Sequence, residues 1–150
     1  MEIAAYKSQW KQDFINLNLE WIEKYFKAEP QDIEMLNNVE ELIRNGAAVF
    51  FALEQERPIA VCMIVPRKNH IWEICKLATA KEAQGKGAGW AVLEKCMNYA
   101  KDHGARKLLI VSNKILSAAM HLYAKAGFKE VPIDYMEYER VNIQLEKTLA

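Results

Sequence analysis

Apolar positions along this chain change their period several times, and each change marks an element. Ile3 to Tyr6 reads as a short opening strand. From Gln9 to about Lys27, Phe14, Ile15, Leu17, Leu19, Trp21, Ile22, Tyr25 and Phe26 predict a helix with a broad apolar face. Pro30 ends it, and Gln31 to Arg44 reads as a second helix closed by Asn45-Gly46. The apolar runs Ala47–Leu53 and Ile59–Val65, joined across Glu54 to Pro58, predict an antiparallel hairpin. Asn69-His70 then turns the chain into a strand over Ile71–Ala80. Val92, Leu93, Cys96, Met97 and Ala100 return to helical spacing, with Gly104 as the stop. Lys107–Ser112 is a continuous apolar run of the kind covered on both faces. Ser117 to Lys125 predicts a helix ended by Gly127. Two strands follow, Phe128–Val131 and Val141–Lys147, around a loop Pro132–Arg140 that carries Tyr135, Tyr138 and Arg140. The order β-α-α-β-β-β-α-β-α-β-β implies an α+β architecture, a mixed sheet with helices on both faces.

Composition narrows the function classes. No linker, repeat or low-complexity tract divides the 150 residues, so a single domain over 1–150 is expected. Twenty basic and twenty acidic residues cancel, which leaves no basic field for nucleic acid. The longest apolar runs are too short for a bilayer, and the N-terminus has no secretion pattern, so no membrane is expected. Cys62, Cys75 and Cys96 form no C-x-x-C pair and read as reduced, buried thiols of a cytoplasmic protein. His70, His103 and His121 share no metal-ligand spacing, so no metal is expected.

The chemistry is concentrated in Gln84-Gly85-Lys86-Gly87-Ala88-Gly89-Trp90, which holds three of the six glycines. It lies where a strand gives way to a helix. The first N–H groups of that helix have no partner within it, and its dipole adds partial positive charge. Glycine admits positive φ and lets a ligand approach the backbone closely. The product is a socket for a phosphate or pyrophosphate. The spacing lacks the third glycine of a dinucleotide fingerprint and the G-K-[ST] ending of a P-loop. It does fit Q-x-x-G-x-G through Gln84, Gly87 and Gly89, and so resembles the acetyl-CoA pyrophosphate loop of the GNAT superfamily of N-acetyltransferases.

Further stretches carry the same resemblance. Leu122-Tyr123-Ala124-Lys125-Ala126-Gly127-Phe128 is similar to the family's LYxKxGF element, and Tyr138 to Ile143 resembles endings of bacterial members. The order of elements is the GNAT order as well. The resemblance implies a mostly antiparallel sheet of about six to seven strands flanked by four helices. It also implies acetyl-CoA as co-substrate and direct attack of a primary amine on the thioester in a ternary complex.

Residue by residue, the resemblance gives Gln84, Gly85, Lys86, Gly87, Ala88 and Gly89 to the pyrophosphate, with Lys86 as a cation beside it. Lys81 and Lys114 are candidates for the ribose 3′-phosphate. The backbone of Leu77, Ala78 and Thr79 would pair with pantetheine and polarise the acetyl carbonyl, and Asn113 would flank the same arm. Tyr123 corresponds to the residue that protonates the leaving thiolate. Glu73, eleven residues before Gln84, has the spacing of the family's general base. Alternation independently puts Glu73 on one face with Ile71, Cys75 and Leu77, where desolvation presses a carboxyl toward its neutral form. The same alternation sends Lys76 to the opposite face, to snorkel or pair with a helix carboxylate.

The acceptor is less plainly written. Residues 20–41 hold seven acids (Glu20, Glu23, Glu29, Asp32, Glu34, Glu40, Glu41) against Lys24 and Lys27, which suits either attraction of a cationic amine or a solvated helix face. Trp21, Tyr25 and Phe26 suit a pocket wall or the core. Arg140, in or just after the late loop, is a candidate to hold a carboxylate of the acceptor. The resemblance implies a small-molecule or peptide amine and leaves room for a homodimer. Two other readings stay open at this level: a non-catalytic acyl-CoA-binding module, and a nucleotide-binding phosphotransferase.

Overall fold

The central hairpin joins β2 (Ala48–Glu54) to β3 (Arg57–Pro66) across a turn in which Gln55 and Glu56 both have positive φ, 51° and 65°. That backbone suits the right-handed twist of the flanking strands. In this computed structural model, which describes residues 1–134, 136 and 138–149, the hairpin lies inside one seven-stranded sheet. The other strands are β1 (Glu2–Ala5), β4 (Ile71–Thr79), β5 (Lys107–Ser112), β6 (Lys129–Val131) and β7 (Ile143–Thr148). Their spatial order is β1-β2-β3-β4-β5-β7-β6, and every neighbouring pair is antiparallel except β4 with β5. The mixed, mostly antiparallel α+β sheet is therefore the one expected. Tyr135, named above in the late loop, falls outside the described residues.

Helices cover both faces. Trp10, just before α1 (Lys11–Tyr25), meets Phe51 edge-on at 5.4 Å on one face. On the other, Tyr99 of α4 (Ala88–Asp102) lies 5.5 Å from Phe50, its neighbour along β2. Period-two alternation sends these two phenylalanines to opposite cores. The core closes around Phe14, Phe51, Met63, Ile64, Leu93 and Leu108, all fully buried.

Two boundaries differ from the sequence reading. The single helix expected over Gln31–Arg44 is two, α2 (Pro30–Asn37) and α3 (Val39–Arg44), so with α5 (Ser117–Lys125) there are five α-helices among the described residues. Asn38 breaks it, with non-helical angles of −97° and 19°. Pro30 does not terminate the first helix, which already ends at Tyr25; it opens α2, where its missing N–H costs nothing. Among the described residues, no helix is long and apolar enough to cross a membrane.

Candidate active site

The cleft begins with one extra residue. Along β3 the register advances two positions, from Val61 to Met63, while β4 advances three, from Ala78 to Cys75. Lys76, at φ 53°, lies in this bulge. β4 and β5 pair only over Ile71–Glu73 and Lys107–Leu109, and then the two strands part. β4 stays with β3 through Thr79, and β5 stays with β7 through Ser112. Between them opens a cavity of about 440 Å³, walled by Ile74–Thr79, Ile110–Asn113, Leu122 and Tyr123. Backbone groups on this edge of β4 are available to an extended ligand laid along the strand.

At one end the cavity reaches the glycine turn, touching Gln84, Gly85, Gly87, Ala88 and Gly89. Gly85 and Gly87 have φ of 85° and 83°, and a Cβ on either would meet nothing within 4 Å, so the loop is an open cradle. Gly87 caps α4, whose first N–H groups face the cradle without helical partners. Gly89 serves a different purpose. A Cβ there would come within 3.1 Å of Thr79 Oγ1 and 3.3 Å of Leu122 Cδ1, so its absence lets α4 approach β4 and α5. The turn thus fits a pyrophosphate. Lys86 does not line the cavity, and its Nζ lies 3.4 Å from Glu54 Oε1 in an exposed pair.

Glu73, Tyr123, Leu77, Ala78, Thr79 and Asn113 all border the same cavity. Burial pushes the Tyr123 phenol well above its ordinary value, and the nearby Cys62 and Cys75 thiols add to the effect. The hydroxyl therefore keeps its proton at neutral pH. Glu73 is almost wholly buried, as expected, but its surroundings are not purely apolar. Arg67 donates to Glu73 Oε1 from Nε at 2.9 Å and from Nη2 as well. Asn113 donates from Nδ2 to the Arg140 carbonyl at 2.7 Å, while its Oδ1 accepts from the Ile115 N–H. It ties the wall of the cleft to the segment that carries Arg140.

The far end holds a charged cluster that the sequence does not announce. Asp32 of α2 is fully buried and accepts two Arg140 N–H bonds, both at 2.7 Å, and one from Lys76 Nζ at 3.1 Å. Lys76 also donates to the Tyr138 hydroxyl at 3.0 Å, and Arg140 reaches Glu29 at 3.4 Å. Burial works against the Asp32 carboxylate, but the Arg140 hydrogen bonds, the Glu29 backbone N–H and the two cations together hold it down at about 2. Burial works against the Arg140 charge too, but its hydrogen bonds to Asp32 and the charges of Asp32, Tyr138 and Glu29 raise it above its ordinary value, so it remains charged.

Alternation fails at Lys76. The bulge inserts a residue, so Lys76 emerges on the α2 side instead of beside Trp72 and Ile74. Pairing with a helix carboxylate, one of the two expected outcomes, is what occurs. The acidic stretch is also partly spoken for: Asp32 and Glu29 engage Arg140, and Glu40 accepts from the Tyr6 hydroxyl. Arg67 was missed, because nothing local in the sequence links it to Glu73 across the turn Lys68–His70. The tight spacing Glu29-Pro30-x-Asp32 was a readable helix start, and Asp32 does accept the Glu29 N–H at 2.9 Å.

The sequence matches the Acetyltransferase (GNAT) family across residues 11–128. The chain belongs to that family. It is 32% identical over 114 residues, 76% of its length, to Streptothricin acetyltransferase A of Bacillus subtilis (strain 168), and spans about 64% of that relative. An acetyltransferase of the GNAT family from Staphylococcus aureus Mu50 superimposes with a TM-score of 0.90 at 17% identity, covering 99% of both chains. A phosphinothricin acetyltransferase from Sinorhizobium meliloti, solved in complex with acetyl-CoA, gives 0.81 at 16% identity, with 99% of this chain and 88% of that one covered.

Proposed function

We propose that this protein is an acetyl-CoA-dependent N-acetyltransferase that acetylates a primary amine by direct attack in a ternary complex. The observation that carries the reading is the continuity of one cavity. It runs from the glycine cradle, past the open edge of β4 and the Tyr123 hydroxyl, to a separate end walled by Trp21, Tyr25, Tyr138 and Arg140. A cofactor arm and an acceptor can therefore meet inside it.

The chemistry follows from what borders that cavity. The cradle and the α4 N-terminus would hold the pyrophosphate, and β4 backbone groups beyond the bulge would hold pantetheine and polarise the thioester carbonyl. Glu73 would take a proton from the ammonium, directly or through water, with Arg67 fixing the carboxylate. The free amine then attacks the acetyl carbon, forming the C–N bond. As the tetrahedral intermediate collapses, the C–S bond would break, Tyr123 would give its proton to the thiolate, and the proton still to be lost by the attacking nitrogen would return through solvent to the Tyr123 oxygen. Orientation of two bound reactants supplies the rest of the acceleration.

Incubation with acetyl-CoA and a panel of primary amines, read by thiol release and by the mass of the N-acetyl product, tests this reading. An N-acetyl product whose formation saturates in both reactants is expected. Binding of acetyl-CoA without product from any amine would reduce the protein to an acyl-CoA-binding module.

A further inference from the structure

The acceptor end of the cavity is walled by two cations, Lys76 and Arg140, whose main counter-ion lies behind them. Asp32 takes bonds from both yet is fully buried and does not line the cavity. We infer that the acceptor is a primary amine that also bears a carboxylate, an amino acid or a close analogue, with the carboxylate received by Lys76 and Arg140. This deepens the N-acetyltransferase reading and rests on it.

Donor accounting supports the inference. A lysine ammonium has three N–H donors, and Lys76 gives one to Asp32 and one to Tyr138. A guanidinium has five; Arg140 gives two to Asp32 and a long one to Glu29. The partners named therefore leave donors over on both cations at the cavity wall. Asp32 has no such reserve, since it accepts from Lys76, twice from Arg140 and from the Glu29 N–H. Glu29, the remaining acid of the cluster, does not line the cavity and is partly exposed.

Charge bookkeeping points the same way. The wall offers Lys76 and Arg140 at one place and the Glu73 carboxylate at another, a pattern complementary to a molecule with an anion and an amine. Asp32 and Glu29 offset the formal charge of the cluster, so discrimination rests on the groups at the wall: Lys76 and Arg140 present N–H donors there, which suit a carboxylate and not a second ammonium. As a mere fastener for α2 the cluster is a poor solution, because apolar side chains of equal volume hold helices as well as a buried ion triad does. The aromatic rings complete the receptor. Tyr138 lies 4.2 Å from Arg140 Cζ and 4.7 Å from Lys76 Nζ, and Trp21 lies 5.6 Å from Arg140, so both cations are fixed by ring faces.

The test uses matched pairs in which only the carboxylate differs: phenylalanine and phenethylamine, tyrosine and tyramine, histidine and histamine, lysine and cadaverine. Thiol release from acetyl-CoA gives kcat/KM for each. The amino acids should exceed their decarboxylated partners by at least tenfold, chiefly through KM. Lys76→Met, which leaves the Asp32–Arg140 pair in place, should shrink that ratio toward one. Equal or better use of the decarboxylated amines overturns the inference and leaves N-acetyl transfer standing. Turnover of neither set overturns it too, and loss of the acetyl-CoA melting shift in the same preparation would show that the broader reading had failed with it.

Discussion

Arg140 and Asp32 meet edge to edge, Nη1 on Oδ2 and Nη2 on Oδ1, each at 2.7 Å, across 108 residues of sequence. The pair fastens α2 to the segment before β7 and so fixes one end of the cavity. Removing one member of a buried pair leaves the other charged and unpaired. Asp32→Asn should therefore cost about 3–5 kcal/mol, measured as a lower urea midpoint. The pH dependence has a definite sign. The folded carboxyl sits at about 2 against an ordinary 3.8, because Arg140, the Glu29 N–H and Lys76 outweigh the cost of burial. A depressed folded value gives stability that is fully present above about pH 4 and is lost as pH falls toward about 2. Melts from pH 6 downward should show this decline in the wild type and a smaller one in Asp32→Asn.

Glu73→Gln keeps the shape of the carboxylate and removes its basicity. If Glu73 takes the amine proton, kcat/KM at pH 7 should fall on the order of a hundredfold. The deficit should narrow as pH rises, because more of the acceptor is already neutral. Arg67→Ala should lower activity less than Glu73→Gln does, since it frees the carboxylate without removing it. An unchanged rate in Glu73→Gln at neutral pH would transfer the task to water.

Tyr123→Phe removes only a hydroxyl. Its expected signature is a loss of kcat of roughly tenfold or more, with KM for acetyl-CoA nearly unchanged. Because the phenol is raised above its ordinary value, no alkaline limb below pH 10 should belong to it. A pH–rate profile that loses such a limb in Tyr123→Phe would contradict this assignment.

The two glycines of the turn should fail differently. Gly89→Ala drives a methyl group to 3.1 Å from Thr79 Oγ1 and 3.3 Å from Leu122, and should cost about 1–3 kcal/mol while raising KM for acetyl-CoA. Gly87→Ala meets no atom within 4 Å but must hold φ at 83°, a strain of about 1–2 kcal/mol. Thermal melts of the two variants, alongside acetyl-CoA saturation curves, separate crowding from backbone strain.

How much of this was legible depends on whether the determinant was local. The glycine turn declares itself because a strand-to-helix reversal over Gln84–Gly89 needs positive φ at fixed places. Leu122 to Phe128 declares itself because helix, stop and strand follow one another within seven residues. The hairpin, too, is written in two apolar runs and the turn between them. The bulge at Lys76 is not, since a register shift depends on how β3 and β4 pair and leaves both sequences looking like plain strands. From that one residue follow the failure of alternation, the place of Lys76 in the cavity wall, and the opening of the cleft. The split at Asn38 was hidden for a related reason: helical spacing continues through it while the backbone does not. Asp32, Arg140 and Arg67 are joined to their partners only by folding, so composition could register their charges but not their pairing.

The measurement that bears most directly on the central claim is a thermal melt with acetyl-CoA, beside CoA and ATP. At roughly 100 times its Kd a ligand of the native state adds about 2.7 kcal/mol, which for a domain of this size is a shift of several degrees. The account predicts that shift with both CoA species and none with ATP, diminished in Gly89→Ala. No shift with either CoA species at millimolar concentration would contradict it, and the cleft between β4 and β5 would then lack the ligand around which the proposed chemistry is built.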